Sequence, residues 1–397
     1  MLFLSQSCPY REGGMETRSR EIAVRIAGQG HQVTYLCAKT RVDEKSEERR
    51  DGLRILRKKI LPDFLLKHFP FPSYFTLAMA NWLMGFYLWR FLRRESFDAI
   101  REEVAPVPVS GIFAFTRLKT RRVAVIHGLP VSRRLWIQLY GRLFGLYGYA
   151  MERALRRGRL AYDGIVAPAN WYAESLRAED SLRTPVFSVP NGVDLKDFKP
   201  APAPKPKDLL LRLLCVGRLA PNKGHRYLLE GLARAQKSVP GLRLTILGQG
   251  NLEPALRRQA RHLGIERSVD FAGYIPESDL PAFYRSFDLL VMPSLLEGFN
   301  IVLLEAMAVG LPVLVSDIPG FRDVADEATA TFFAPADPSD LARKLIPLAG
   351  DPEGAEAMAL RGLSRIQGLS WDEIASLELS FLSDEPSARQ SPAAMRA

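Results

Sequence analysis

The sequence is poor in cysteine, and none of its apolar runs is long enough to cross a membrane. Its three cysteines, Cys8, Cys37 and Cys215, form neither a metal-spaced pair nor a disulfide framework, which fits a reducing compartment. The amino-terminal residues lack the charged start and longer apolar region of a signal peptide, so we expect none. The apolar segment 75–89 is shorter than the about 20 residues of a spanning helix, which leaves a buried helix or a helix at a membrane interface.

The composition is that of a globular protein with an excess of positive charge. A chain of 397 residues is expected to form two domains. Hydrophobic residues make up 47% and charged residues 25%, which is typical of a protein with a full core. The net charge of +10 favours anionic partners, namely nucleic acid, an acidic membrane surface or phosphorylated substrates.

Short apolar runs alternate with helix-like stretches along the whole chain. The predicted strands are 2–5, 32–38, 98–100, 107–115, 123–126, 164–167, 211–216, 242–247, 289–292 and 312–316. The predicted helices are 16–29, 151–159, 227–238, 252–263, 300–309 and 371–382. This alternation predicts an α/β protein with parallel sheets and crossover helices.

A Pro-rich stretch at 200–207 has the composition of a semi-rigid linker, and the alternation restarts after it. The sequence therefore predicts two Rossmann-like domains, at 1–195 and 209–368, joined by a linker at 196–208. A last amphipathic helix is expected at 369–383, followed by a disordered tail at 384–397. In open parallel sheets ligands bind at the carboxyl ends of the strands, and the motifs below all follow predicted strands.

Two glycine-containing motifs follow strands of the second half. The segment from Gly217 to Gly224 carries Arg218 and Lys223, and two cations beside helix-start amides suit a diphosphate. Taken alone, the pair is better explained as solvated surface charges, and the neighbouring motifs reverse that preference. Gly248 opens a weaker motif that lacks the third glycine of a dinucleotide fingerprint, so an NAD site is not supported. A tight turn or a close backbone approach is enough to explain that glycine.

Two further candidates lie in the first half. Gly13 and Gly14 follow the first strand, where glycines let backbone N–H groups approach a phosphate or sugar oxygen. His127 stands at the end of the 123–126 strand, and from there a histidine can reach a ligand. The alternative interpretations are a plain loop and a structural histidine.

Glu297 and Glu305 bracket an apolar segment and lie in different local environments. Glu297 is in a loop, Asn300 is a plausible N-cap, and the helix that follows is apolar on almost every side. Glu305 is the only charge of that helix, and a buried carboxylate needs a partner, either an arginine or the hydroxyls of a ligand. The two glutamates are therefore interpreted as separate anchors rather than as a proton-sharing acid and base.

Together these motifs resemble the retaining GT-B glycosyltransferases of family 4, also called group 1. The likeness covers nearly the whole chain and is strongest between Asn191 and Gly320. The matching stretches are 191–194 with Phe198 and Pro200, Gly217-Arg218 with Lys223-Gly224, 269–274, and 297–300 with 305–308 and 310–313. The last of these matches the family's E-x7-E motif.

The resemblance implies two GT-B domains facing across a cleft, with the last helix crossing back to the first domain. It implies transfer of a hexose from a UDP- or GDP-sugar to a glycan or lipid-linked acceptor in polysaccharide or lipopolysaccharide biosynthesis. The acceptor would bind the first domain and the donor mainly the second. The catalytic residues would be His127, Arg218, Lys223 and Glu297. The donor-binding residues would be Gly13, Gly14, Gly217, Arg218, Lys223, Gly248, Tyr274, Ile275, Glu297, Gly298, Phe299, Asn300, Ile301 and Glu305.

Within this family likeness each residue has an expected role. Glu305 would bind the ribose hydroxyls, Glu297 the donor sugar, and Arg218 and Lys223 the diphosphate, whereas His127 would lie near the sugar. Departure of the diphosphate builds up negative charge that must be neutralised. Many sugar transferases use a metal held by an Asp-x-Asp pair, and no two aspartates of this chain have that spacing. We therefore expect two fixed cations to replace a metal, and no cofactor.

The acceptor side is expected to involve an aromatic and basic segment. Ten aromatic residues lie between Phe64 and Phe91, and Arg90, Arg93 and Arg94 flank the apolar run. This composition suits an anionic membrane surface and leads to the hypothesis of a cytoplasmic enzyme that associates with the inner face of the cell membrane. The alternative is that the aromatics are core and the arginines a solvated face.

The sequence is compatible with three other functions. A nucleotide-sugar epimerase of the GT-B fold would use the same donor site without an acceptor. A non-catalytic sugar-nucleotide sensor would bind the donor only. A nucleic-acid binder is suggested by the charge alone, and we do not expect nucleic acid as a partner. The sequence specifies neither the sugar, nor the base, nor the acceptor.

Overall fold

The computed structural model describes residues 1–5, 8–10, 13–39, 44–59, 86–104, 120–127, 162–178, 182, 184–201 and 211–383. The chain divides into two compact units, Met1–Asn191 with Trp371–Ala397, and Gly192–Ser370. The unit border at Asn191 comes slightly before the predicted end of the first domain at 195. The strand predicted at 107–115, the helix predicted at 151–159 and the tail predicted at 384–397 lie outside the described residues, as does most of the linker.

Both units consist of strands and helices in alternation, which confirms the predicted α/β class. The strands are β1 Leu2–Leu4, β2 Val33–Lys39, β3 Glu47–Arg50, β4 Leu53–Lys59, β5 Ala99–Val104, β6 Arg121–Ile126, β7 Gly164–Ala167, β8 Val186–Ser188, β9 Arg212–Val216, β10 Arg243–Leu247, β11 Val269–Gly273, β12 Leu289–Met292, β13 Val313–Ser316 and β14 Thr331–Phe333. The helices are α1 Gly14–Gly28, α2 Asn170–Arg177, α3 His225–Ala235, α4 Glu253–His262, α5 Leu280–Tyr284, α6 Ile301–Ala308, α7 Pro319–Arg322, α8 Pro338–Ala349, α9 Pro352–Arg365 and α10 Trp371–Ser383.

The first unit contains a sheet with the strand order β3-β4-β2-β1-β5-β6-β7-β8. All of its pairings are parallel except that of the edge strand β3, which is antiparallel to β4. No strand was predicted at 47–59, so this antiparallel edge is an addition to the predicted parallel sheet. Asp51 and Gly52 join β3 to β4 with φ values of 49° and 78°, and two residues with positive φ form the tight turn that suits a hairpin.

The second unit contains a fully parallel sheet with the strand order β11-β10-β9-β12-β13-β14. Its strands β12 and β13 are buried along their whole length, as is usual in a parallel sheet covered by helices. Leu213, Leu228, Leu289 and Leu341 share one buried core. The chain runs outward from β9 in one direction and continues from β12 in the other. The loops after β9 and β12 therefore lie at the topological switch point, where α/β sheets bind ligands.

The last helix, α10, packs against α1 and the sheet of the first unit. Asp372 forms an ion pair of 2.9 Å with Arg25, and Phe381 stacks on Phe187 with ring centroids 4.3 Å apart. The backbone carbonyl of Phe381 also accepts a hydrogen bond of 2.7 Å from Arg121. The carboxyl-terminal helix is thus an integral part of the amino-terminal unit.

The described end of the aromatic segment presents both core and exposed side chains. Residues 86–92 are helical, and Leu88 is buried in a cluster with Leu2 and Ile100. Phe86 and Tyr87 are 53% and 38% exposed, so this helix is neither wholly core nor wholly surface. Among the residues that the structure describes, none of the helices combines the length and apolarity needed to cross a membrane. The rest of the predicted 75–89 helix lies outside the described residues.

Candidate active site

Backbone contacts hold the loops after β9, β10 and β11 side by side. The Gly217 N–H donates to the carbonyl of Leu247, and the Gly248 N–H donates to the carbonyl of Gly273 over 2.8 Å. A Cβ at position 248 would lie 2.0 Å from the Gly217 carbonyl oxygen, so only glycine fits there. The close backbone approach expected at Gly248 is therefore an approach to the neighbouring loop.

The loop after β9 also meets the loop after β12. The Leu295 N–H donates to the Asn222 carbonyl over 2.8 Å. Gly224 has a φ of 68°, and a Cβ at this position would lie 2.0 Å from the Pro293 carbonyl oxygen. Glycine at position 224 is thus required both by its backbone conformation and by the neighbouring loop. The two motifs that the sequence placed after different strands belong to one site.

Lys223 and Glu297 form an ion pair at the meeting point of these loops. The Lys223 Nζ lies 2.6 Å from Glu297 Oε1, and the Ser294 hydroxyl donates to the same oxygen over 2.6 Å. Both charged side chains are largely buried. The sequence motifs gave these two side chains separate targets, and Ser294, which follows β12, belongs to none of the motifs.

Arg218 differs from Lys223 in its surroundings. Its side chain is exposed, and it forms no hydrogen bond or ion pair with any residue that the structure describes. Of the two cations that the sequence proposed for a diphosphate, Lys223 is neutralised by Glu297 and Arg218 is not. Arg218 therefore carries the uncompensated positive charge of this loop.

Glu305 is positioned by a helix whose start is well defined. The Asn300 side chain accepts a hydrogen bond of 3.1 Å from the Leu303 N–H, which confirms the predicted N-cap of α6. Glu305 lies one turn further on and is partly buried, and its Oε2 accepts a hydrogen bond of 2.6 Å from the Tyr284 hydroxyl. The protein partner of Glu305 is therefore a tyrosine, and no sequence motif indicated it.

The environment of Glu305 favours its protonated form. Burial raises the pKa of Glu305 to about 7, and the negative charge of Glu277 acts in the same direction, whereas the hydrogen bond from Tyr284 opposes the shift. Oε1 of Glu305 accepts no hydrogen bond within the described part of the chain. The carboxylate thus has one oxygen held by the protein and one that can accept a hydrogen bond from a ligand.

Tyr274 and Ile275 directly follow β11, at the same edge of the sheet as the other loops. The family-matching stretch 269–274 is mostly the strand β11 itself, and Gly273 ends that strand with a φ of 67°. The Tyr274 side chain is exposed. Gly320 packs directly against the backbone of the loop after β12, since a Cβ at position 320 would lie 2.4 Å from the Glu297 carbonyl oxygen.

The predicted site residues of the first unit lie where its helices and strands begin or end. Gly13 is the N-cap of α1 and has a φ of 147°, and Gly14 is the first residue of that helix. His127 directly follows β6, and its Nε2 is hydrogen-bonded to a carboxylate oxygen of Glu103 at the end of β5. Glu103 belongs to none of the sequence motifs, although charged residues within the strand β5 are a visible signal.

The second unit thus brings a loop with two cations and a loop with a carboxylate together at the switch point of its parallel sheet. Two family models match the chain, "Glycosyltransferase Family 4" over residues 12–197 and "Glycosyl transferases group 1" over residues 196–364. Together they span residues 12–364 and overlap at residues 196 and 197. The chain therefore belongs to the family 4, or group 1, glycosyltransferases, as the sequence motifs predicted.

Individual relatives agree with this assignment. The chain is 25% identical over 412 residues to a GDP-mannose-dependent alpha-(1-6)-phosphatidylinositol monomannoside mannosyltransferase of Mycolicibacterium smegmatis, covering 98% of this chain and 100% of that one. It is 33% identical over 190 residues to the glycogen synthase of Mycobacterium tuberculosis and spans about half the length of that relative, 46%. The sucrose-phosphate synthase of Thermosynechococcus elongatus has the same fold, with a TM-score of 0.79, 22% identity and coverage of 98% and 100%.

Proposed function

We propose that this glycosyltransferase moves a hexose from a UDP- or GDP-sugar to a glycan or lipid-linked acceptor of the cell envelope, with retention of configuration and without a metal. The main support for the donor site is that two loops meet at the switch point, where Lys223, Glu297 and Ser294 form one buried cluster. Arg218 lies in the same loop as Lys223 and is unpaired among the described residues. Such a cluster supplies both cations for a diphosphate and carboxylates for hydroxyl groups.

The donor is proposed to lie along the loops of the second unit. Arg218 and Lys223 bind the diphosphate, Glu305 binds the ribose through its second oxygen, and the backbone near Tyr274 and Ile275 binds the base. Glu297 with the following Gly298, Phe299 and Ile301 borders the sugar. When a donor binds, the Lys223 ammonium is shared between Glu297 and the phosphate, so that Glu297 is able to turn to a sugar hydroxyl.

Neutralisation of the leaving diphosphate is the main chemical task. Cleavage of the glycosyl phosphate bond develops negative charge on the β-phosphate oxygen, and fixed cations stabilise it without having to reorganise. Within the described residues, no three His, Cys, Asp or Glu side chains lie close enough to hold a metal ion. We propose a front-face transfer in which the leaving phosphate oxygen accepts the proton of the attacking acceptor hydroxyl, so that no protein nucleophile is required.

The acceptor is proposed to bind the first unit close to a membrane surface. Phe86 and Tyr87 are exposed, and the neighbouring Arg90, Arg93 and Arg94 are exposed as well. Exposed aromatics beside arginines suit the interface of an anionic bilayer. In flotation, the protein is expected to move with vesicles that contain anionic lipid at physiological salt and to stay behind with neutral vesicles. Equal recovery in the lipid-free fraction with both kinds of vesicle would contradict this proposal.

The donor proposal is tested by thermal shift with UDP-, GDP- and ADP-sugars, followed by a transfer assay with the best donor. We expect one nucleotide to raise the melting temperature and the transfer rate to remain unchanged in excess EDTA, because Arg218 and Lys223 replace a metal. Absence of any shift would count against the donor site, and loss of activity on chelation would count against metal-free transfer.

The same experiments separate the two alternative functions. An epimerase would convert the donor sugar without consuming an acceptor, and a sensor would bind the donor without converting it. Both alternatives use the same donor loops, so donor binding alone does not distinguish them. Product formation that depends on an added glycan or lipid-linked acceptor favours transfer over both.

A further inference from the structure

A buried cluster of charges connects His127 to the carboxyl-terminal helix. Arg101 on β5 donates from Nη1 to Glu103 and from Nε to Glu378 on α10. Glu103 and Glu378 each have a second oxygen, and these bond to His127 and to Arg18 on α1 respectively. Arg18, Arg101, Glu103 and Glu378 are all at least 97% buried. Two arginines and two carboxylates thus compensate each other inside the first unit.

The network also reaches the point where the chain leaves the first unit. Arg18 Nη1 donates to the Pro190 carbonyl over 2.6 Å and to the Asn191 side-chain oxygen over 2.9 Å. A buried ion cluster contributes little net stability, since desolvation offsets much of the attraction. The cluster is therefore better explained by a need to hold one side chain in a precise position. His127 is the one member of the cluster that is partly exposed.

We propose that Glu103 is the positioning residue of His127, that it holds the imidazole proton on Nε2 and leaves Nδ1 as a hydrogen-bond acceptor, and that Glu378 of the carboxyl-terminal helix maintains this arrangement through Arg101. The inference rests on the proposed function only for the role of Nδ1 towards a sugar hydroxyl.

The direction of the hydrogen bonds follows from what each partner can donate. Arginine only donates, so it engages one Glu103 oxygen as an acceptor, and the ionised carboxylate has only acceptor positions left for His127. Burial by itself raises the pKa of Glu103, but Arg101 and His127 outweigh burial and hold the pKa well below its ordinary value. His127 Nε2 must then carry the proton. Nδ1 forms no hydrogen bond within the described part of the chain.

Replacing Glu103 by glutamine reverses this pattern. Arg101 still requires an acceptor, so the amide oxygen of the new side chain faces Arg101 and its NH2 group faces His127. His127 Nε2 then has to accept, and the proton of the neutral ring moves to Nδ1. Glutamine is uncharged and nearly equal in size to glutamate. We therefore expect this substitution to change the tautomer of His127 rather than only to remove a contact.

The tautomer is measured by long-range ¹H–¹⁵N spectra of the full-length protein labelled at histidine, with His127→Ala to assign the signals. We expect the neutral His127 ring to carry its proton on Nε2 in the wild type and on Nδ1 in Glu103→Gln. The matched control is Glu21→Gln, which removes a carboxylate that pairs with Arg20 and Arg25 on α1. This control should leave the His127 signals unchanged.

Activity provides a second readout. In the transfer assay Glu103→Gln is expected to lower kcat by about 10- to 100-fold. A loss of this size is typical when the hydrogen-bond partner of a metal-bound histidine is removed. The double variant Glu103→Gln/His127→Ala should be no slower than His127→Ala alone, because Glu103 acts through His127. Effects that multiply would overturn the proposal.

The wild-type spectrum decides the proposal even if the variants misfold. A wild-type His127 with its neutral-ring proton on Nδ1 overturns the proposal even if Glu103→Gln does not fold. A folded Glu103→Gln protein that retains the proton on Nε2 overturns it as well. If no sugar nucleotide is a donor, the proposed function fails while the tautomer result still decides the role of Glu103.

Discussion

Replacing Arg218 by alanine is expected to lower kcat by about 100- to 1000-fold, the loss typical when one preorganised group that stabilises developing negative charge is removed. The reason is that the two cations of the loop after β9 have different surroundings. Lys223 is paired with Glu297 over 2.6 Å, whereas Arg218 is exposed and unpaired among the described residues. We therefore expect Arg218 to supply positive charge that no carboxylate of the described residues compensates.

The effect is measured as kcat and KM in a transfer assay with saturating donor. Arg234→Ala is the matched control, because Arg234 is also an arginine of the second unit but lies at the far end of α3, paired with Glu230. Arg218→Lys should recover part of the rate, since it restores the charge but not the two-pronged geometry. A kcat of Arg218→Ala within twofold of the wild type would refute the leaving-group role.

Replacing Glu305 by alanine is expected to weaken donor binding by about 100-fold, because hydrogen bonds to a charged group contribute roughly 1.5–3 kcal/mol each. Tyr284 engages Oε2 of Glu305 and leaves Oε1 for the ribose hydroxyls. Calorimetric titration with the best donor measures the loss. Glu266→Ala, at an exposed position of the same unit, is the control. Unchanged affinity in Glu305→Ala would refute the assigned contact.

The raised pKa of Glu305 also makes donor binding depend on pH. Ribose hydroxyls donate to the ionised carboxylate, so binding strengthens as pH rises through the pKa of about 7. If only the ionised form binds, affinity increases about tenfold between pH 6 and pH 8, and Glu305→Gln abolishes this increase. Calorimetry at pH 6, 7 and 8 tests the dependence, and a flat profile in the wild type would contradict it.

The stability of the donor-free protein should respond in the opposite direction. Folding raises the pKa of Glu305, so the native state binds the proton more tightly than the unfolded chain does. The contribution of this group is therefore most favourable below the unfolded pKa of about 4 and is lost as pH rises through the folded value. We expect donor binding above pH 7 to offset that loss, because the ribose hydroxyls would donate hydrogen bonds to the ionised carboxylate.

Most secondary structure followed from local sequence patterns. The predicted strands at 164–167 and 289–292 match β7 and β12 residue for residue, and the Asn300 cap is confirmed. The hairpin of β3 and β4 was missed, although its turn residues Asp51 and Gly52 are a standard hairpin signal. The flanking strands are rich in arginine and glutamate, so the apolar alternation that reveals other strands is weak there.

The sequence by itself determined the α/β class, the order of the elements, the glycines of the loops and the family, because these depend on short-range periodicity and spacing. The tertiary structure alone decided which charges meet. Lys223 pairs with Glu297 across 74 positions of the chain, and Arg101 pairs with Glu378 across 277. Such contacts depend on strand order and helix packing, which bring distant residues within bonding distance. A pattern read along the chain therefore identified the candidate anchors but not their partners.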